Sequence, residues 1–401
     1  MLDFDLAQTQ LAKAGQKPKQ TEDCPLHRAQ GRILAQTLKA HLDMPPADNS
    51  AMDGYAIRYA DYQAGRGLPV QQRCYAGEQP EPLQPGQCIR LFTGSMIPEG
   101  ADTVVIQEDC TETDNILLIN EAPVQGAHIR RRGEDVRKDS TLLPDGTQIG
   151  AAQVALLASQ GYAQIPVYPQ LKVGILTTGD ELVEPGKALQ AAQIYNSNGP
   201  MLASLVGGLG ADPIHVLHAN DTLESLQQAL QTLINDCDLI LSVGGVSVGE
   251  KDLVKPAIEQ AGGELDLWRV RMKPGKPVAL AHAQGKPIVC LPGNPVSAFA
   301  VFALLVSPLV RHMQGREQWL PAVQYGRLND DAPFNDIRDE FIRVKAEHAS
   351  NGGTNLNVFS RQGSGVVSSL PWSHGLARIP AGSQIKAGDL VPFYSWAHWL
   401  V

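Results

Sequence analysis

Apolar positions recur at helical spacing in LAQTQLAKA and HRAQGRILAQTL, so residues 1 to about 40 are predicted to be helical. MPPADNS breaks that pattern. From there to about 140 the chain carries many Gly and Pro residues and short alternating runs such as DTVVIQED and NILLINEA, which predict a β-rich insertion. Residues 145–163, DGTQIGAAQVALLASQGYA, turn helical again. This helix is expected to pack with the N-terminal ones, giving a small helical linking domain (1–40 and 140–168) around the insertion (41–139).

From Leu171 to about His312 the pattern becomes strand and helix in alternation. Strands are predicted at 172–177, 213–217, 239–243 and 288–291, with helices near 199–209, 222–235 and 254–261. The fold class is therefore multidomain α/β, built on a doubly wound parallel sheet (169–315). Short strands with turn signals at NGG, QGSG, PAGS and KAGD predict a C-terminal β domain (320–401).

In an open sheet of this kind ligands lie beyond the carboxyl ends of the strands. TTGDE (177–181), Asn220-Asp221, GGVSVGEKD and PGNP all fall there. DLILSVGGVSVGEKD (238–252) is the most informative of them. Leu239, Ile240, Leu241 and Val243 suit a central strand, and Gly244, Gly245 and Gly249 let backbone approach an anion. Gly-Gly alone is weak, since most glycine turns only reverse the chain. RVRMKPGKP (269–277) and LPGNPVSAF (291–299) follow within the same α/β pattern and strengthen the reading.

Composition narrows the class. The 401 residues, 43% hydrophobic and 19% charged, describe an ordinary globular chain of two to four domains. A formal charge of −9 argues against nucleic acid as main partner and requires any anionic ligand to find a local basic pocket. Two clusters qualify: Arg130, Arg131 and Arg132, and Arg269, Arg271, Lys273 and Lys276; a solvated loop explains the arginine run equally well. Cys24, Cys74, Cys88, Cys110, Cys237 and Cys290 show no CxxC spacing, which suggests neither a zinc site nor a disulfide framework. The N-terminus lacks the features of a signal peptide, and the apolar run 296–310 is short for a membrane helix, so a buried helix and a cytoplasmic location are expected.

Glu181, Asp221 and Asp252 would converge near glycine turns, and carboxylates beside a phosphate call for a cation between them, such as Mg²⁺. Asp221 with Glu224 also resembles a helix N-cap and its partner. Asp252 could cap too, although Pro256 favours a helix starting nearer itself. Lys273 and Lys276 flank Pro274-Gly275 and suit a compact oxyanion. In PGNP the amides near the helix start could hold an anion, with Ser297 adding a hydroxyl, or the turn could be purely structural. DNSAMDGYAI places Asp53 in a polar turn. His215 and His218 would point to opposite faces of a strand, which disfavours a metal site.

DNSAMDGYA, FTGSMIPEGADTVVIQED, IRRRGEDV, TTGDEL, SVGGVSVGEKD, KPGKP and LPGNPVS occur in this order over about residues 40–300. Together they resemble the molybdopterin molybdenumtransferase family, the MoeA-type enzymes and the gephyrin E domain. The resemblance implies four domains in a homodimer whose active site is shared between subunits. It implies insertion of molybdate into adenylated molybdopterin with release of AMP, helped by Mg²⁺ or a similar divalent cation. By motif, Asp53, Thr93, Arg130 and Asp135 would line the site from the insertion. Glu181, Asp221 and Asp252 would supply the acidic side, with Glu181 and Asp252 on the metal. Ser247, Pro292 and Pro295 would surround the nucleotide or pterin phosphate, and Lys273, Lys276 and Ser297 would contact the oxyanion. Arg343 and Ser369 match less sharply, and Arg269 stands where a lysine-like role is implied. Transient contacts with other cofactor-biosynthesis proteins also follow from the resemblance; nucleic acid and membrane do not.

Three rivals differ in what they would carry. An enzyme that adenylates molybdopterin should lack the DNSAMDGYA insertion and the C-terminal β domain. A scaffold would favour an extra Pro/Ser-rich linker, and a generic nucleotide-binding regulator would keep the phosphate loops without the Asp53 and arginine modules.

Overall fold

The computed structural model describes all residues except 246–252, 331–335 and 350–351. It divides into two compact units: residues 1–36, 145–151 and 164–401, and residues 37–144 with 152–163.

The larger unit is organised by a six-stranded sheet in the order Asp212–Ala219, Lys172–Thr178, Leu239–Val243, Lys286–Leu291, Pro277–Ala283, Glu264–Arg269. The first four strands are parallel and the last two antiparallel, so the sheet is mixed where the sequence suggested a parallel one. The antiparallel arm exists because Gln284 and Gly285, both at positive φ (51° and 79°), close a two-residue hairpin between Ala283 and Lys286. Gln-Gly is a weaker hairpin signal than Asn-Gly, so the sequence pattern does not reveal this turn.

Strand alternation sorts the core into two layers. Leu239, Leu241 and Val243 pack with the helix Asn198–Gly208 and the long helix from Pro295, while Ile240 faces the helices Leu223–Asp236 and Val254–Gln260 on the other side. The helix Pro295–Met313 is the stretch among the described residues long and apolar enough to cross a membrane, and it is 89% buried within the protein. It is a core helix, as expected.

Near the N-terminus the helix Phe4–Ala12 is capped by Asp3, whose carboxylate accepts from the amides of Asp5 and Leu6. The second predicted helix does not form. Only Leu26–Arg28 makes a single tight turn; Glu22–Pro25 pairs antiparallel with Gln164–Val167, and Leu34 bridges Val167. Ile33 and Leu34 are buried by extended pairing instead, and Leu26 by the tight turn, which their spacing alone cannot distinguish from a helix. Five C-terminal strands and the short Met272–Lys273, which pairs with Asp339–Glu340, form a six-stranded sheet in which Asp339–His348 pairs with both Thr354–Val358 and Gly375–Ile379, closing it barrel-fashion around Ile342, Val344, Leu356 and Phe393.

The smaller unit holds its own six-stranded sheet, with Gly54–Ile57 between Thr103–Ile106 and Cys88–Leu91. Tyr55 and Ile57 serve one small core and Ala56 the other.

Candidate functional site

At the carboxyl edge of the parallel strands lies a cavity of about 480 Å³, within the ~300–1,000 Å³ usual for small-molecule sites. Glu181 and Asp221 line it, opposite the turns Gly244-Gly245 and Gly293-Asn294-Pro295. Gly244 has φ +97°, and a Cβ there would lie 3.0 Å from the carbonyl oxygen of Thr178. The strand therefore leaves the sheet along a path that only glycine follows without strain, which opens room beside the carboxylates.

Asp221 is held from two directions. The Thr178 hydroxyl donates to its Oδ1 at 2.7 Å and the Asp180 amide to its Oδ2 at 3.4 Å, while its own amide donates to Asp180 Oδ1 at 3.0 Å. The capping alternative for Asp221 is thereby corrected: Thr222 caps the helix, accepting from the Ser225 amide at 3.3 Å. His215 contacts Asp236 at 2.8 Å and His218 contacts Thr177 at 3.3 Å. Ser247 and Asp252, with the rest of the loop 246–252, lie outside the described residues.

Residues 194–198 also line the cavity and fall outside the motifs above; Asn196 and Asn198 are the ones that brace it. The Asn196 side chain donates to Thr177 Oγ1 at 2.9 Å and accepts from the Gly199 amide at 3.1 Å, bracing the helix start against the strand. Asn198 donates to the Gly293 carbonyl at 2.7 Å and so ties the start of the helix Asn198–Gly208 to the Gly293 turn. The signal was present as NSNG ahead of a helical run, a combination typical of helix starts.

The basic groups at this edge divide by partner. Lys273 lies 3.1 Å from Glu340 and 3.2 Å from Asp336. Burial opposes its charge, but the bonds to Glu340 and Asp336 outweigh that and push its pKa up. Lys276 and Arg269 are exposed, and the pairing of Arg269 with Pro277 sets both at the end of the sheet from which Leu291 leads into Pro292. Ser297 is buried at the start of the long helix, and the Val296 amide donates to the Ser364 carbonyl at 3.2 Å, so that amide is not available to an anion as the sequence had suggested.

Arg343 and Ser369 do come together. The buried Arg343 guanidinium donates to Ser369 Oγ at 3.1 Å, and to the carbonyls of Arg361 at 3.2 Å and Gly363 at 3.0 Å. Burial lowers its pKa to about 10. These bonds pin the Gly363–Gly365 loop, whose Ser364 carbonyl caps Val296.

In the smaller unit Asp53 Oδ1 accepts from both the amide (2.7 Å) and the hydroxyl (2.8 Å) of Thr93. Those two bonds, the amide first, hold its pKa below the usual carboxylate range. Arg130 and Asp135 line a separate cavity of about 660 Å³ together with Asn49. Arg131 is paired with Asp48 at 2.7 Å and Arg132 with Asp43 at 2.6 Å, which leaves Arg130 as the member of the run that faces this cavity.

No group of three or more His, Cys, Asp or Glu able to hold a metal occurs among the described residues. The two carboxylates at the cavity beyond the parallel strands still fit a hard cation that takes one or two protein oxygens and completes its shell with water and substrate phosphate, which is the habit of Mg²⁺.

A glycine-turned α/β sheet with an acidic cavity at its carboxyl edge, a separate β-rich unit and a closed C-terminal sheet define a multidomain protein of the MoeA type. Residues 2–161 match the MoeA N-terminal region (domain I and II), residues 174–312 the family described as "Probable molybdopterin binding domain", and residues 325–396 the MoeA C-terminal region (domain IV). A molybdopterin molybdenumtransferase of Haemophilus influenzae is 40% identical over 321 residues, covering 80% of this chain and 79% of that one. One from Nostoc sp. is 36% identical over 376 residues, covering 90% and 85%. The crystal structure of a molybdopterin biosynthesis MoeA protein from Pyrococcus horikoshii superposes with a TM-score of 0.84 at 30% identity, covering 98% of this chain and 100% of that one. The chain belongs to the molybdopterin molybdenumtransferase family.

Proposed function

We propose that this transferase of molybdenum cofactor biosynthesis inserts molybdate into the dithiolene of adenylated molybdopterin and releases AMP. The observation that carries the reading is the cavity in which Glu181 and Asp221 face two glycine turns, in a chain of this family. Backbone turns of this kind approach phosphates closely, and fixed carboxylates hold the cation that phosphate requires. Glu181 and Asp252 would hold Mg²⁺, which when bound neutralises phosphate charge. Asp221, oriented by Thr178 and Asp180, sets the acidic wall. Lys276 and Arg269, at the same edge, attract the oxyanion. The substrate's own sulfurs bind molybdenum, so the protein needs no thiol; five of its six cysteines are buried.

The remaining site residues belong to the same reading. Asp53, Thr93, Arg130 and Asp135 complete the site in a homodimer, each centre drawing on both subunits. Lys273, Ser297, Pro292, Pro295, Ser247, Arg343 and Ser369 shape the oxyanion and phosphate end. The reaction is placed in the cytoplasm, in transient contact with other enzymes of the pathway.

The test is AMP release by the purified protein with adenylated molybdopterin, molybdate and Mg²⁺. Wild type should release AMP and yield a cofactor that reconstitutes a molybdoenzyme; Glu181→Gln should keep the fold and lose at least about 100-fold in rate, the size expected for a charge-stabilising group. Full activity of Glu181→Gln, or indifference to a chelator, would remove the carboxylate and cation from the mechanism.

A further inference from the structure

The cavity at Glu181 and Asp221 has two unlike sides. Carboxylates, asparagines and glycine turns make one. The other is an apolar lip formed by Leu182, Ile194 and Tyr195, which belong to a two-stranded parallel ribbon joining Leu182–Val183 to Ile194–Tyr195. Ile194 is 56% exposed and Tyr195 45%, although both line the cavity. A contiguous apolar patch rimmed by polar residues at the mouth of a cavity is the kind of surface that marks a ligand-binding wall.

Tyr195 is also held in place. Its hydroxyl donates to the Lys187 carbonyl at 2.9 Å, which restrains the ring. The ribbon is tied to the site at both ends, since the Ile194 amide donates to the Glu181 carbonyl at 2.9 Å and the Asn196 amide to the Val183 carbonyl at 2.8 Å. An oriented, half-exposed aromatic ring beside a phosphate-type turn is suited to a planar heteroaromatic ring attached to a phosphate.

We propose that Tyr195 stacks on a planar ring of the adenylated substrate, with Ile194 and Leu182 closing the apolar side around it. This rests on the function proposed above, which supplies a substrate with two such rings, adenine and pterin. Either would meet the lip by the same chemistry. Because stacking acts on substrate and transition state alike, the lip sets affinity and leaves the chemical step alone.

The experiment measures binding of adenylated molybdopterin, AMP, molybdopterin and inorganic pyrophosphate, each without molybdate, to the full chain and to Tyr195→Ala and Tyr195→Phe. Tyr195→Ala should weaken binding of the adenylated substrate about tenfold, the lower part of the range for base stacking. Tyr195→Phe should stay within about twofold of wild type, because it keeps the stacking face. KM should rise in Tyr195→Ala while kcat at saturation holds, a split that a merely structural role would not produce. Loss of AMP affinity assigns the ring as adenine, and loss of molybdopterin affinity assigns it as pterin. Unchanged affinity in Tyr195→Ala overturns the proposal, as does an equal loss for inorganic pyrophosphate, which has no ring. So does a weakened dimer with substrate affinity intact, which would make the lip a contact between copies. If Tyr195→Ala melts early, Ile194→Ala carries the same comparison from the neighbouring wall. Wild type that binds substrate yet releases no AMP with molybdate would count against the proposed reaction, while the affinities would still judge the lip.

Discussion

The Lys273 ammonium lies 3.1 Å from the carboxylate of Glu340, a residue only 7% exposed on the closed C-terminal sheet. A second carboxylate, Asp336, stands 3.2 Å away. One of the two lysines that flank Pro274-Gly275 is therefore already neutralised, whereas the other, Lys276, is exposed.

The two lysines should thus separate by assay. Lys276→Ala should raise the molybdate concentration needed for half-maximal AMP release by about tenfold, the worth of one charge-assisted contact. Lys273→Ala should change molybdate dependence less and instead lower stability by about 1 kcal/mol, because it leaves Glu340 buried without its cation; the partial exposure of the lysine keeps the figure small. Urea denaturation and molybdate titration of both variants measure this. A larger molybdate effect in Lys273→Ala would mean that the ion pair opens for the oxyanion.

Asp336 gives the same cluster a pH signature. The Arg338 guanidinium, against the opposing effect of burial and with help from Lys273, holds the Asp336 carboxyl far below the usual carboxylate range. A folded-state pKa below the unfolded value of ~3.9 stabilises the protein above about pH 4, and the contribution is lost as pH falls from there towards the depressed value. The stability gap between wild type and Asp336→Asn should accordingly be widest near neutrality and narrow progressively below about pH 4. A gap that stays constant down to pH 2, measured by denaturant unfolding, would rule out the linkage.

Two glycines should respond in opposite directions. Gly244→Ala forces a left-handed conformation on a residue with a Cβ and presses it towards Thr178, costing about 1–2 kcal/mol and lowering substrate affinity. Gly207 lies inside the helix Asn198–Gly208 with ordinary φ and open space around its Cα. Gly207→Ala should raise stability by about 0.5–1 kcal/mol and leave activity alone. Thermal melts of the pair check both signs.

What the chain disclosed in advance follows from how local each feature is. The strands at 172–178 and 239–243 were legible because parallel strands covered on both faces are continuous apolar runs. Glu181 and Asp221 were legible because they follow strand ends, where such sheets bind ligands. The antiparallel arm was missed because its turn residues are unusual for a hairpin. The second N-terminal helix was predicted in error because apolar spacing cannot say whether a neighbour will pair with the chain. The pairing of Lys273 with Glu340, the pinning of a loop by Arg343, and the place of Tyr195 depend on side chains meeting across distant segments. No local pattern encodes those contacts.

The last prediction concerns the division of site residues between the two units. Asp53, fixed by Thr93, and Arg130 with Asp135 belong to the smaller unit, whereas Glu181 and Asp221 belong to the larger one. If each catalytic centre combines one subunit's smaller unit with its partner's larger unit, Asp53→Ala and Glu181→Gln homodimers should both be inactive. Mixing them under conditions that exchange subunits should then create heterodimers with one intact and one doubly impaired centre. With equal mixing about half of the dimers are heterodimers, each carrying one working centre of two, so AMP release should recover to roughly a quarter of the wild-type rate. Light scattering should report a dimer throughout. A monomer, or no recovery once exchange has been demonstrated with differently tagged chains, would place the whole site within one subunit.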